Sequence, residues 1–414
     1  MQIELIPKDP VLLIGAILFF FMFIQILIGF FSFLIFLFKK TKQPPKILPP
    51  LSVLIPAYNE EVVIEKTLKA VFAATYPREK LQVICIDDAS TDNTLSLMKK
   101  FPVHILQTTH AGKSAALNKA LSLAKHDIVI TLDADVFVDK NFFKEIIGPF
   151  QDKKVGAVNG MIFIEDSTRP LGTFQRVEYW FHNIIRASLS SVFENTLWFF
   201  GAAAAYRKEA LLKVKGFSEE VLTEDMDIAL KLVQKSYKVV AAPRAYYYSV
   251  AMESFKSIFS QRMRWFIGGP QCALKNLGAF RLSNVPLLLF FFQQVYWAIF
   301  SFAMIPLVIY EVMYWLPDAG IGAYLFRWFS FAGPVYVFYN IPNWGISTAS
   351  IFGVTAGILT PLLCLGGAAY FKQKVTLRDM ISLFFYFPYT LLLNVITIVG
   401  VIKYTFSKKR TFIR

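Results

Sequence analysis

The clearest indication of the fold of this chain is the sequence Ile128-Val129-Ile130-Thr131-Leu132-Asp133-Ala134-Asp135. Its first five residues are apolar or β-branched, which is typical of a strand buried on both faces, as in a parallel sheet covered by helices. The strand ends in two carboxylates, Asp133 and Asp135. Ligands of open α/β sheets bind outside the carboxyl ends of the strands, so this pair lies where a divalent metal could bind. An isolated Asp-x-Asp is more often a turn or a helix cap, so its meaning depends on its surroundings.

The residues before this strand alternate between strand and helix patterns. Strands are predicted at 51–56, 82–86, 103–106 and 127–132, and helices at 60–74, 93–100 and 113–124. This order predicts an α/β fold with a parallel sheet and helices on both faces. Polar clusters follow the other strands: Tyr58 and Glu60 the first, Asp87 and Asp88 the second. We therefore expect all of these side chains to face one crevice.

Apolar residues are concentrated at the two ends of the chain. Of 414 residues 55% are hydrophobic, and residues 11–38 contain no charge, which exceeds the roughly 20 apolar residues that span a bilayer. Further apolar runs lie at 285–316, 350–371 and 381–401. The chain thus divides into an anchor and linker at 1–45, a soluble domain at 46–253, an amphipathic interface helix at 254–283 and a membrane region at 284–414.

The basic residues predict orientation and partners. Lys39, Lys40, Lys42 and Lys46 follow the first span and place the soluble domain in the cytoplasm. Three C-terminal spans would leave the basic tail 408–410 outside, so either 325–339 also crosses or Pro388 interrupts a span. The net charge of +14 is better matched to anionic lipid and a phosphorylated substrate than to nucleic acid. The three cysteines have no pairing or ligand spacing.

Three further motifs have both a structural and a functional interpretation. Lys113 begins a helix, where backbone N–H groups and its own charge favour an anion such as a diphosphate. Thr223-Glu224-Asp225 is either a helix cap or a source of a general base. Residues 254–280 alternate basic and apolar side chains and suit the headgroup plane. Within them, Gln261 and Trp265 share one face beside Arg264, either as a diphosphate and sugar site or as an ordinary interfacial Arg and Trp.

The motifs in order resemble the processive membrane glycosyltransferases of family 2, which include cellulose, chitin, hyaluronan and poly-N-acetylglucosamine synthases. The resemblance covers about residues 50–270 and rests on Pro56-Ala57-Tyr58-Asn59-Glu60, Asp87-Asp88, Asp133-Ala134-Asp135, Thr223-Glu224-Asp225 and Gln261-Arg262-Met263-Arg264-Trp265. Residues 198–207, with Gly201, are similar to the family's acceptor-contacting segment. Length, the lone N-terminal span and Gly268-Gly269 are most similar to the bacterial poly-N-acetylglucosamine synthases.

The resemblance implies a GT-A type, Rossmann-like cytosolic domain inserted between transmembrane helices, and a role for each motif. Asp87 and Asp88 would contact uridine, and Asp133 and Asp135 would hold Mg²⁺ or Mn²⁺. The catalytic pair would be Asp225, the base, and Glu224. The remaining expected substrate-binding residues are Pro56, Tyr58, Glu60, Lys113, Gly201, Gln261, Arg264 and Trp265. One departure is Ala89, where the family more commonly has glycine after the two acids.

The implied activity is inverting, processive transfer of a sugar from a UDP-sugar to a growing β-linked polysaccharide. N-acetylglucosamine is the expected sugar, and the product would cross the plasma membrane through this multi-pass protein, with a small accessory membrane subunit as a further expected partner. A glycolipid synthase that moves a single sugar onto a lipid is the alternative, and product length separates the two. A transporter or receptor would explain the spans but not the ordered acids.

Overall fold

An eight-stranded mixed sheet forms the centre of the soluble domain. The computed structural model describes residues 3–4, 10–196, 198–315, 320, 322–323 and 346–406. The strands are β1 (Leu51–Ala57), β2 (Leu81–Asp87), β3 (His104–Gln107), β4 (Ile128–Leu132), β5 (Val136–Val138), β6 (Val155–Ile164), β7 (Ala203–Arg207) and β8 (Lys238–Ser249). Their order in the sheet is β3-β2-β1-β4-β7-β6-β8-β5.

Thirteen α-helices are described within these ranges. They are α1 (Pro10–Phe38), α2 (Ile64–Ala73), α3 (Thr94–Met98), α4 (Lys113–Leu123), α5 (Phe142–Ile146), α6 (Pro170–Phe193), α7 (Lys208–Lys213), α8 (Glu224–Gln234), α9 (Phe255–Lys275), α10 (Val285–Trp315), α11 (Thr348–Tyr370), α12 (Leu377–Phe384) and α13 (Phe387–Phe406). Short 3₁₀ turns occupy Arg78–Lys80, Gly148–Gln151 and Leu277–Ala279. A two-residue parallel pairing joins Ile3–Glu4 to Ile346–Ser347.

The predicted parallel α/β half is confirmed. Strand β1 pairs in parallel with β2 and β4, and β2 with β3. Alternate residues of each strand enter opposite cores: Val53 packs with α2 on one face, whereas Leu54 packs with α4 on the other. Both faces are covered, which is why β1, β2 and β4 are mostly apolar. The remaining strands make the sheet mixed, since β7 is antiparallel to both β4 and β6.

Three described helices are long and apolar enough to cross a membrane. These segments are Leu13–Phe38, Val285–Pro306 and Phe387–Phe406, and Thr355–Tyr370 is a shorter apolar helix. The predicted span at 381–401 is wrong in its bounds, because α12 ends at Phe384 and α13 begins at Phe387. Pro388 occupies the first turn of α13, where its missing N–H costs no helical hydrogen bond. The alternative span at 325–339 and the basic tail lie outside the described residues.

Helices α6 and α9 connect the soluble domain to the apolar helices. Side chains of α6 pack with Phe163 of the sheet and with residues of α1 and α11 in one continuous core. Helix α9 packs against α8 on one side and α13 on another. The prediction that the basic residues of α9 face the headgroups is wrong for Arg262, whose side chain is only 1% exposed and pairs with Glu178. Lys256 and Arg264 are exposed.

Candidate active site

Acidic side chains from distant parts of the sequence meet at the carboxyl edge of the sheet. Asp133 and Asp135 follow β4, and Glu224 and Asp225 begin α8. Lys113, the first residue of α4, joins the two groups: its Nζ lies 2.6 Å from Asp133 Oδ1 and 2.9 Å from Glu224 Oε1. The sequence predicted one crevice for the polar residues that follow β1, β2 and β4. The structure adds Glu224 to the acids after β4, because both carboxylate motifs contact the Lys113 ammonium group.

The acids nearest β1 and β4 repel one another. Burial, together with the charges of Asp135 and Asp133, raises the pKa of Glu60 to about 7. Burial also raises the pKa of Asp133 to about 6, although the neighbouring Lys113 opposes the shift. The pKa of Asp135 is raised by burial too. Crowded carboxylate oxygens with unfavourable mutual charge are suitable ligands for Mg²⁺ or Mn²⁺.

These acids do not form a complete metal cage by themselves. Within the described part of the chain, no three His, Cys, Asp or Glu side chains are arranged to coordinate one ion. Mg²⁺ usually takes one or two carboxylates and completes its octahedron with phosphate oxygens and water. Asp133 and Asp135 therefore fit an ion that arrives with, or is completed by, a diphosphate.

Asp225 is held by the backbone at both carboxylate oxygens. Its Oδ2 accepts a 2.7 Å hydrogen bond from the Gly201 N–H, and its Oδ1 accepts one of 2.8 Å from Met226 N–H. Burial and the adjacent Glu224 charge raise the pKa of Asp225 to about 6. Burial would also raise the pKa of Glu224, but the Lys113 ammonium outweighs it and lowers that pKa. The pKa values of the two neighbouring acids are thus shifted in opposite directions, as is typical of carboxylates with different chemical roles.

Thr223 connects the start of α8 to α9. Thr223 is the N-cap residue of α8, but its side chain makes no capping hydrogen bond. Its hydroxyl lies 3.3 Å from Cys272 Sγ of α9 instead. Helix α8 thereby begins at a fixed position relative to α9, which carries the Gln261 to Trp265 motif.

Asp88 organises the loop after β3. Its carboxylate accepts hydrogen bonds from Thr108 Oγ1 at 2.5 Å, Ala111 N–H at 3.0 Å and Gly112 N–H at 2.9 Å. These bonds outweigh burial and lower the pKa of Asp88. Asp87 accepts a 3.1 Å bond from Ser90 N–H. The expected uridine contact of Asp88 stays a prediction, and the structure adds a role in fixing the loop that leads to Lys113.

An aromatic pair lies beside this loop. The half-exposed Tyr58 ring lies 4.1 Å, centroid to centroid, from His110, at an angle of 34°. Pro56 is buried within β1, aligned with Ile86 of β2. Tyr58 could be predicted from its position after a strand. The contact of His110 with Tyr58 could not be predicted, because the histidines show no informative spacing in the sequence. Ala89 adopts φ +64°, in the left-handed region that favours glycine.

The motif Gln261 to Trp265 contributes an aromatic ring and a cation to the site. Trp265 stacks on Phe200 with centroids 5.9 Å apart and an angle of 22°, and Phe200 directly precedes Gly201. Burial raises the pKa of Asp135, and the positive charges of Lys113 and of the exposed Arg264 oppose that shift. Gln261 Oε1 has no hydrogen-bond partner among the described residues. The role of Phe200 was not predicted; its position beside Gly201 was the available signal.

Comparison with known proteins finds a family match for the part of the chain that carries Asp88, Lys113, Asp133 and Asp135. Residues 52–214 match the family described as Glycosyl transferase family 2. The chain is 30% identical over 256 residues to the poly-beta-1,6-N-acetyl-D-glucosamine synthase of Staphylococcus aureus (strain COL), with 58% of this chain and 60% of that protein covered. It is 29% identical over 281 residues to the probable glycosyltransferase YdaM of Bacillus subtilis (strain 168), covering 63% and 66% respectively. The alignments thus span about 60–66% of the length of these relatives.

A solved structure shares the fold over nearly the whole chain. The mannosyltransferase PcManGT from Pyrobaculum calidifontis, solved with GDP-Man and Mn²⁺, superposes with a TM-score of 0.62 at 21% identity, covering 95% of this chain and 99% of that one. The sequence match and the fold agree on the same domain. The chain therefore carries a glycosyltransferase family 2 domain of the GT-A fold, flanked by apolar helices.

Proposed function

We propose that the chain is an inverting membrane glycosyltransferase that transfers a sugar from a nucleotide diphosphate sugar to a growing β-linked polysaccharide. The arrangement around Lys113 is the observation that supports this proposal most. It places Asp225, a half-buried carboxylate with a raised pKa, beside Glu224, whose pKa is lowered, and connects both to the acids after β4. The similarity to a poly-N-acetyl-D-glucosamine synthase supports N-acetylglucosamine as the transferred sugar.

Asp225 would act as the general base. With a pKa near 6 it is ionised at neutral pH yet basic enough to accept a proton. The acceptor hydroxyl gives its proton to Asp225 as its oxygen forms a bond to the anomeric carbon. The bond from that carbon to the diphosphate oxygen breaks, and the nucleoside diphosphate leaves with the electron pair. Attack from the opposite face converts an α-linked donor to a β-linked product.

The other side chains would bind and orient the substrates. Asp133 and Asp135 would hold Mg²⁺ or Mn²⁺, which when bound supplies charge neutralisation for the departing diphosphate. Arg264 and Lys113 would add positive charge there. Tyr58 and Asp88 lie at the nucleoside end, and Trp265 offers a ring face to the acceptor sugar.

The membrane helices support coupled synthesis and export. The basic residues within 39–46 support a position of the domain on the cytoplasmic side of the plasma membrane, where nucleotide sugars are available. The polymer would then leave through the membrane region, with an accessory subunit as a further partner. Proteoliposomes that accumulate no polymer inside, although they polymerise an externally added donor sugar, would contradict the export step.

Replacement of the base tests the chemistry. Asp225→Asn should retain UDP binding and lose transfer by roughly 10³-fold, since general base catalysis supplies about 10²–10⁴-fold. Asp127→Asn is the matched control, because Asp127 is exposed at the opposite end of β4. The assay follows nucleotide release and product length with Mn²⁺ and a panel of UDP- and GDP-sugars. Normal turnover by Asp225→Asn would refute the assignment, and a product of one added sugar on lipid would favour the glycolipid synthase.

A further inference from the structure

Arg262 belongs to a closed group of three buried side chains from three helices. Its Nη2 donates to Glu178 Oε2 of α6 at 2.5 Å and to Tyr389 Oη of α13 at 3.2 Å. Tyr389 Oη in turn donates to the same Glu178 oxygen at 2.9 Å. We call Glu178, Arg262 and Tyr389 the buried triad. It connects the helix that carries Trp265 to an apolar helix long enough to cross the membrane.

The triad also touches the aromatic wall of the active site. The Arg262 guanidinium carbon lies 4.1 Å from the centre of the Trp265 ring, a cation–π distance. Trp265 stacks on Phe200 through its ring, and Phe200 is backed at 4.2 Å by the Arg186 guanidinium. The residue after Phe200 is Gly201, whose N–H holds Asp225. A continuous series of contacts therefore runs from α13 to the proposed base.

Two observations indicate that this group does more than stabilise the fold. A buried ion pair contributes little net stability compared with apolar packing, but it selects one geometry because removal of either partner leaves a buried charge. In addition, Arg262 Nε and Nη1 have no hydrogen-bond partner among the described residues. The guanidinium is thus incompletely hydrogen-bonded, while its flat face lies against the indole.

We propose that the buried triad positions Trp265 for the acceptor sugar, so that the placement of α13 sets how well the acceptor is bound. The inference rests on the proposed glycosyltransferase function. Glu178, Arg262 and Tyr389 are positioning residues in this scheme, since none of them lies at the reacting atoms. Loss of the triad lets the indole turn or shift away from Phe200, which weakens acceptor binding and leaves the nucleotide end intact.

The chain offers a closely matched control. Arg176, two residues before Glu178 on α6, pairs through Nε with the buried Asp379 of α12 at 3.0 Å. It also lies over a tryptophan, Trp180, at 5.7 Å, but Trp180 is buried in the membrane-side core. Asp379→Asn therefore removes the carboxylate charge from an equally buried ion pair that α6 makes with α12, without touching the active-site wall, and Arg176 keeps its second partner, Asp166.

The test compares Tyr389→Phe, Glu178→Gln and Asp379→Asn in the full chain in lipid nanodiscs. Tyr389→Phe is the mildest change, since its ring stays stacked on Phe174 at 5.3 Å. The protein is labelled with 5-fluorotryptophan, and the Trp265 ¹⁹F resonance is assigned with Trp265→Phe. The kinetic measurements are the acceptor KM with a short β-linked N-acetylglucosamine oligosaccharide and the dissociation constant of UDP with Mn²⁺.

We expect both triad variants to shift the Trp265 resonance and to raise the acceptor KM by about tenfold or more, the effect of a lost hydrogen bond to a charged group. UDP affinity should stay within about twofold, and Asp379→Asn should change neither quantity. An unshifted resonance with an unchanged acceptor KM in Tyr389→Phe would overturn the proposal, as would equal effects of Asp379→Asn. Wild-type protein that transfers no sugar would instead refute the proposed function, while the ¹⁹F spectra would still decide whether the triad positions Trp265.

Discussion

Gly201→Ala is expected to disable the site by displacing Asp225. A methyl group at residue 201 would lie 2.4 Å from Asp225 Cβ and 3.0 Å from Asp225 Oδ2, whereas ordinary contacts begin at 3.4 Å. Asp225 Cβ must therefore retreat by about 1 Å and carry the carboxylate with it, a displacement that costs on the order of 10²-fold in rate for a catalytic group. The 2.7 Å bond from the Gly201 N–H to Asp225 would be stretched or lost as well.

The assay is initial-rate nucleotide release at saturating donor, together with UDP binding and a thermal melt. Gly278→Ala is the control, because a methyl group there meets only Gln234 Nε2 at 3.9 Å and should leave the rate unchanged. We expect Gly201→Ala to fold and to bind UDP normally while turnover falls by about two orders of magnitude. A rate within a factor of about two of wild type would show that Asp225 does not depend on this contact.

Two further predictions concern stability. Glu60 has a folded-state pKa of about 7 against an ordinary 4.5, so the folded state binds the Glu60 proton more tightly and loses stability as pH rises from 4.5 to about 7. Without metal or nucleotide, Glu60→Gln should therefore melt at a higher temperature than wild type at about pH 8 and at the same temperature at about pH 4.5. An equal gain in melting temperature at both pH values would argue against titration of Glu60. Ala89→Gly removes an alanine from the left-handed region at φ +64°. It should add up to about 1 kcal/mol to the free energy of unfolding, offset in part by glycine's larger unfolded-state entropy. A lower melting temperature would contradict the inference that Ala89 is strained.

The parallel half of the sheet could be predicted because its physical signal is local. Strands buried on both faces are mostly apolar, and the acids that follow parallel strands meet at one edge of the sheet. The antiparallel half gave no such signal, since the pairing of β7 with β4 and β6 depends on register between segments far apart in the chain. Residues 381–401 are apolar on both sides of the break at Phe385, so hydropathy alone merged α12 with α13.

The site was predictable in its residue types and not in its contacts. Asp133, Asp135 and Asp225 stood out by pattern and by resemblance. The pairing of Lys113 with Glu224, and that of Arg262 with Glu178, each require a partner that sequence spacing does not indicate. Arg262 in particular followed the pattern of an outward basic residue, and a buried carboxylate on another helix overrode that pattern.

The bond from the Gly201 N–H to Asp225 has a consequence for how this enzyme class can be re-engineered. A main-chain donor is present whatever side chain precedes it, so Phe200 can be exchanged for another aromatic residue that still stacks on Trp265 while the glycine beside it keeps the base in place. Libraries that vary residue 200 among aromatic side chains and leave residue 201 untouched should therefore change product range more readily than they abolish turnover.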